Sequence, residues 1–142
     1  MGTQTKIAQA VYPAVRYANA KAAIAWLTSV LGFREHEVCT GDGDRIDHAE
    51  LAIAGNLIML GTTKDGAAPN ARTPDGATVT MYIAFDTPAD VDARYARAKA
   101  AGAHILREIT DTDYGSHEFS VSDPEGHVWS FGTYRPQAAA AT

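Results

Sequence analysis

The stretch Tyr114-Gly115-Ser116-His117-Glu118-Phe119-Ser120-Val121-Ser122-Asp123-Pro124-Glu125-Gly126-His127-Val128-Trp129-Ser130-Phe131 reads as two β-strands joined by a tight turn. Pro124 suits the second position of a type I turn, and Gly126 tolerates the positive φ by which the chain leaves it. Beyond the turn, His127, Trp129 and Phe131 alternate with Val128, Ser130 and Gly132, the period of a strand. If Ser130 faces one side of the sheet, Trp129 packs on the other, under a helix. Upstream, His117 and Glu118 point to opposite faces for the same reason. His127, directly after the turn, is expected in solvent.

Working back from this hairpin, His104 to Ile109 reads as a strand. A helix precedes it, with Thr87 as cap, Pro88 in the first turn and Asp90 closing the box. Val91, Tyr95, Ala98 and Ala101 mark its buried face, and Gly102 ends it. Val79 to Phe85 is β-branched and aromatic, as a strand should be.

The first half says the same thing. Val11 to Tyr17 is a strand with Pro13 placed at an edge. Asn19 caps a helix whose stripe is Ile24, Leu27 and Leu31, widened by Trp26 and Val30, and Gly32 ends it. Trp26 belongs to the core on this spacing. Phe33 to Thr40 is a strand, Asp42-Gly43-Asp44 a turn, and His48 to Ala54 a strand. Gly55-Asn56 forms a two-residue hairpin turn, and Leu57 to Leu60 is the partner strand. Gly32 and Gly102 stand 70 residues apart, and Gly55 and Gly126 stand 71 apart. A near-constant offset between similar units implies duplicated βαβββ modules, which must pack together to bury their sheets. The chain is read as one domain of residues 1–142. Module one spans 11–60, a Gly- and Pro-rich linker 61–77, module two 78–135, and a frayed tail 136–142. The linker is long enough to act as a flap over a site.

Composition excludes several classes. A net charge of −5 gives no basic footprint for nucleic acid. No apolar run is long enough to span a bilayer, so no membrane partner is expected. The start, Met1 to Lys6, lacks the charged and apolar regions of a signal peptide, and a lone Cys39 cannot form an internal disulfide. The cytoplasm is the expected compartment. There is no Gly-x-Ser-x-Gly elbow and no Gly-rich phosphate loop.

Five motifs carry a resemblance: Tyr12-Pro13, His48-Ala49-Glu50-Leu51, Met59-Leu60, Tyr114-Gly115 and Asp123-Pro124-Glu125-Gly126-His127-Val128-Trp129. With the repeat, they resemble the vicinal oxygen chelate superfamily over about residues 11–135. That superfamily holds glyoxalase I, extradiol dioxygenases, fosfomycin-resistance enzymes and bleomycin-binding proteins. Within it the chain looks closest to the PhnB-like glyoxalase-related group, although His117 replaces an arginine common there. The resemblance implies an α+β fold in which two tandem βαβββ modules form a cup-shaped curved mixed sheet with helices outside. It also implies a homodimer.

Catalytic members of that superfamily hold a divalent metal with four side chains, two from each module. The resemblance carries those positions onto Tyr12, Met59, Thr80 or Tyr82, and Ser130. None is a good ligand for a hard cation: methionine is soft, hydroxyls bind weakly without a carboxylate, and tyrosine would have to lose a proton with a pKa of about 10. No metal or other cofactor is therefore expected. A displaced site made of His48, Glu50 and His117 is the alternative. The plainer expectation is that His48 and Glu50 pair with backbone or with Arg45.

Without the metal, a pocket lined by Tyr12, Met59, Thr80, Tyr82, Tyr114 and Ser130 remains, its aromatics, methionine and hydroxyls typical of a small-molecule site. Arg16 would meet an anionic ligand or pair with Glu50 or Glu35. The expected function is metal-free binding, sequestering a toxic or aromatic compound. The alternative is a glyoxalase-like lyase, isomerase or dioxygenase using displaced metal ligands or Tyr12, His48, Glu50 or His117 as acid and base.

Overall fold

A computed structural model describes residues 9–63 and 79–136. The elements run β1 (Ala14–Tyr17), α1 (Ala20–Ser29), β2 (Arg34–Thr40), β3 (Ile46–Ile53), β4 (Asn56–Thr62), β5 (Met81–Ala84), α2 (Pro88–Ala100), β6 (His104–Asp111), β7 (His117–Ser122) and β8 (Val128–Gly132). The βαβββ order occurs twice. Each module forms its own four-stranded mixed sheet, ordered β1-β4-β3-β2 and β5-β8-β7-β6. The first strand of each module pairs in parallel with the last, and the remaining pairs are antiparallel. The helix is what makes the parallel pair possible, because such strands need a long crossover.

The caps sit where the sequence places them. Asn19 accepts the Ala22 N–H at 3.0 Å, and Thr87 accepts the Asp90 N–H at 3.2 Å with Pro88 behind it. Gly32 and Gly102 take φ of +82° and +73°, the left-handed exit that glycine makes cheaply. Ala101 caps α2 and is exposed, so the buried face of that helix ends at Ala98.

Several boundaries differ from expectation. β1 begins at Ala14, because Pro13 has no N–H to continue the ladder; its carbonyl still accepts from Met59 N–H at 2.8 Å. β3 begins earlier, at Ile46. The β3–β4 turn is Ala54-Gly55, one residue before the expected Gly55-Asn56: both take positive φ, 51° and 80°, and Ile53 pairs with Asn56 across it. Gly61 and Thr62 extend β4 rather than opening the linker, whose remaining residues 64–77 lie outside the described residues. So does the tail from 137 onward.

One sheet face of each module carries the core. Val15 and Tyr17, Ala49 and Leu51, and Ile58 and Leu60 are buried in module one. Phe119 and Val121, with Trp129 and Phe131, are buried in module two. These residues join one cluster across the modules, with Phe33 edge-on to Trp129 at 5.2 Å between ring centroids. Trp129 is fully buried, as its alternation with Ser130 requires.

The modules are tied by the Asp123-Pro124-Glu125-Gly126 turn. Asp123, only 4% exposed, accepts the Tyr17 hydroxyl at 2.5 Å and Trp129 Nε1–H at 3.1 Å on one oxygen. Its other oxygen accepts the Glu125 and His127 N–H groups, both at 3.0 Å. Glu125 accepts Ala18 N–H and Asn19 N–H at the entrance of α1, at 2.7 and 2.8 Å. His127 is not in bulk solvent: its Nε2 donates to the Arg16 carbonyl at 2.9 Å and its ring meets Tyr17 edge-on. Burial and the neighbouring Asp123 push the Tyr17 hydroxyl far above the ordinary tyrosine range, so it remains a donor at any physiological pH.

Candidate functional site

The alternation that buries one face of each sheet leaves the other face open. Pairing aligns side chains across that face into transverse rows. In module two the register runs Arg107 to Ser120, Ser120 to Ser130, and Ser130 to Tyr82, one residue from each of β6, β7, β8 and β5. The equivalent row in module one is Glu37, Glu50, Met59 and Ala14.

Module two's row is a hydrogen-bonded network. Ser120 and Ser130 hydroxyls are 2.7 Å apart. Beside them Glu118, 7% exposed, accepts from Arg107 Nη1 at 3.2 Å and from the Tyr114 hydroxyl at 3.0 Å. Gly132 makes the crowding possible. A Cβ there would sit 2.7 Å from the Tyr82 hydroxyl and 2.8 Å from both Glu118 Cγ and Ser116 Oγ. Partial burial holds the Tyr82 hydroxyl above the usual tyrosine pKa, with Glu118 adding to the shift and a Ser116 hydrogen bond opposing it. Tyr114 also packs edge-on against Tyr134.

Module one's open face is built from different groups. His48 Nε2 lies 2.9 Å from Glu50, and His36 Nε2 lies 3.8 Å from the other oxygen of the same carboxylate. Arg45 pairs with Asp47 rather than with Glu50. Arg16 lies over Gly61 and has no carboxylate partner among the described residues. The exposed Cys39 thiol donates to Glu37 at 3.4 Å, which pushes its pKa up and keeps it out of the reactive thiolate form.

A cavity of about 610 Å³ lies at the junction of the modules. Tyr12, Thr80 and Tyr82 line it together with Ile53, Ile58, Met81, Ile83 and Trp129, and Arg135 stands among the lining residues. Three of the expected pocket residues are thus brought together. Met59 and Ser130 stand on the open faces of their separate sheets, and Tyr114 stands over Glu118; these three do not line the cavity. Glu118, Arg107 and Ser116 were not singled out by sequence. The parity of β7 put Glu118 and Ser120 on one face, but the register that sets Arg107 beside them depends on irregular pairing between β6 and β7.

The donor set does not fit a divalent metal. Tyr12, Met59, Thr80 and Ser130 supply neither carboxylate nor imidazole, and the Ser130 hydroxyl is already engaged with Ser120. His117, on the helix side of β7, is held between Asp92 at 2.7 Å and Asp111 at 2.6 Å. The structure therefore does not gather it with His48 and Glu50. No group of three or more His, Cys, Asp or Glu among the described residues is arranged to hold a metal. No helix among them is long and apolar enough to cross a membrane.

Comparison with known proteins agrees with this architecture. An uncharacterized protein of Mycobacterium bovis is 33% identical over 96 residues, covering 65% of this chain and 61% of that protein. The chain therefore spans about six tenths of the length of that relative. The crystal structure of TioX from Micromonospora sp. ML1 superposes with a TM-score of 0.64 at 29% identity, covering 87% of this chain and 98% of TioX. A glyoxylase/bleomycin resistance protein/dioxygenase domain from Frankia sp. EAN1pec superposes at 0.72 with 16% identity, covering 92% of this chain and all of that domain, a likeness of fold alone. The family model for the Glyoxalase/Bleomycin resistance protein/Dioxygenase superfamily matches residues 7–131, and with the twice-repeated βαβββ order this places the chain in that superfamily.

Proposed function

We propose that this chain is a metal-free small-molecule-binding protein that holds a partly aromatic compound in the cavity between its modules and so sequesters it in the cytoplasm. The observation that carries the reading is the cavity itself. Its roughly 610 Å³ falls within the size of ordinary ligand pockets, and its walls combine aliphatic side chains with the partly exposed Tyr12 and Tyr82. Aromatic walls stack on flat ligands while the Tyr12 hydroxyl bonds to polar substituents, the Tyr82 hydroxyl already donating to the Tyr134 carbonyl at 2.5 Å. Within the superfamily, His48-Ala49-Glu50-Leu51 and Tyr114-Gly115 favour the PhnB-like group.

The partner proposed beside the ligand is a second copy. Among the described residues no further strand pairs with β1 or β5 at the ends of their sheets, and Val11 and Val79, which precede those strands at the rim of the cavity, are 85% and 72% exposed. Light scattering at high micromolar concentration should give a dimer mass.

Neutral aromatic probes such as indole and 2-naphthol test the pocket. They should raise the melting temperature and change Trp129 fluorescence. Thr80→Trp, which fills the cavity from an exposed position, should abolish both effects without unfolding the chain. Absence of any response, or stoichiometric Zn, Ni, Mn or Fe in protein purified without chelator, overturns the reading. The enzymatic alternative rests on the His48–Glu50 contact at 2.9 Å, an imidazole beside a carboxylate on an open sheet face. Turnover abolished by His48→Gln would favour it.

A further inference from the structure

We propose that Arg107 is the charge anchor of the binding site and that the ligand is an elongated aromatic carboxylate. The inference rests on the pocket reading above and deepens it. The row Arg107–Ser120–Ser130–Tyr82 crosses the open face of the second sheet, and Tyr82, at its end, also lines the cavity. Strands stand about 4.8 Å apart, so the row extends roughly 14 Å from the cavity side to Arg107. A molecule with its ring between the modules reaches Arg107 only if its acid lies several bonds from the ring.

The chemistry at the far end selects an acceptor. Arg107 is half exposed and gives only Nη1 to Glu118 among the described residues, leaving its remaining N–H donors directed elsewhere. Glu118 is the buried partner. Its side chain is 9% exposed, and both oxygens already accept from Tyr114 while one also accepts from Arg107, so it does not itself present a site for a ligand cation. Its work is positional: a buried carboxylate fixes the guanidinium, whose planar fork then matches a carboxylate with two parallel hydrogen bonds. Ser120 and Ser130 share one hydroxyl proton between them, which leaves the other to donate toward the ligand. Module one offers no such anchor at the equivalent position, where Glu37 stands.

The experiment compares 8-phenyloctanoate and 10-phenyldecanoate, whose chains approach the length of the row, with their primary amides, by Trp fluorescence titration and calorimetry on the full chain. The acids should bind at least about tenfold more tightly than the amides. In Arg107→Gln that ratio should fall to near one, with amide affinity unchanged; in Arg107→Lys it should be intermediate, because charge survives and the fork does not. Melting curves confirm that each variant is folded, and Arg107→Lys, which keeps a cation beside Glu118, retains the test if Arg107→Gln does not fold. Equal affinity for acids and amides in the unaltered protein, with both binding, overturns the proposal and leaves the pocket standing. No binding by any neutral or acidic probe overturns both.

Discussion

The two modules share a backbone plan, yet the tips of their equivalent hairpins do opposite things. The β7–β8 tip, Asp123 to His127, reaches across the junction and bonds to Arg16, Tyr17, Ala18 and Asn19 of module one. The β3–β4 tip is only Ala54-Gly55, and its flanking residues Ile53 and Asn56, with Ala54, line the cavity. A long polar tip fills its side of the junction; a short one leaves space. Duplication supplies two pseudo-equivalent locations, and shortening one of them opens a pocket without sacrificing the other as a clamp. The rows on the open faces diverge in parallel: Glu37 against Arg107, Glu50 against Ser120, Met59 against Ser130.

The largest expected effect breaks the clamp. Asp123→Ala leaves the Tyr17 hydroxyl, the Trp129 indole N–H and two turn amides without their acceptor inside the joint core. Losing the central member of a buried hydrogen-bonded network costs about 3–5 kcal/mol. Urea unfolding should show a lower midpoint, and hydrogen exchange should show the loss concentrated at the start of α1, where Glu125 caps Ala18 and Asn19. A loss under about 1 kcal/mol would mean that the core contact of Phe33 with Trp129 holds the modules without the turn.

Next comes the crowding on module two's open face. Gly132→Ala puts a methyl where the Tyr82 hydroxyl, Glu118 and Ser116 converge. One of the three must move, at a cost of about 1–3 kcal/mol. If Tyr82 moves, affinity for neutral aromatic probes should change; if Glu118 moves, the preference for acids over amides should weaken. The variant therefore tells which side chain yields.

A smaller gain is expected at the other tip. Ala54 holds φ of 51°, the left-handed region that a Cβ disfavours. Ala54→Gly should stabilise by up to about 1 kcal/mol, partly offset by the extra freedom of glycine in the unfolded chain. Thermal unfolding should rise by a few degrees at most. A fall in melting temperature would mean that the Ala54 methyl contributes more as a cavity wall than it costs as strain.

Local physics made much of this legible beforehand. Asn19, Thr87 and Pro88 mark helix starts through caps that depend on neighbours within three residues. The period-two alternation put Trp129 in the core and Ser130 on the open face. What sequence missed is what depends on register or on contacts between modules. His127 looked like a turn residue in solvent because its acceptor, the Arg16 carbonyl, is 111 residues away. Met59 and Ser130 sit at equivalent positions of the repeat, but equivalence within two sheets does not bring them into one cavity. Glu118 was invisible as a site residue for the same reason: Arg107 meets it only through irregular pairing of β6 with β7.

The smallest effect separates the outer faces of the modules. By the offset of 70, Asp47 is the counterpart of His117. Asp47 meets a single exposed arginine, Arg45, whereas His117 is bracketed by Asp92 of α2 and Asp111 of β6. The hydrogen bonds to Asp92 and Asp111, in that order, raise the His117 pKa above its ordinary 6.5. A raised folded-state pKa means that the charged ring stabilises the fold fully below the unfolded value near 6.5, and that this contribution disappears as pH climbs through the higher folded value. His117→Gln should therefore lower the melting temperature at pH 5.5 and scarcely change it at pH 9. Both carboxylates are exposed, so 1 M NaCl should shrink the low-pH difference. A ring titration followed by NMR should place the His117 midpoint above 6.5. A midpoint at or below 6.5 would show that the two aspartates do not hold the imidazolium, leaving the two outer faces alike in their pH response.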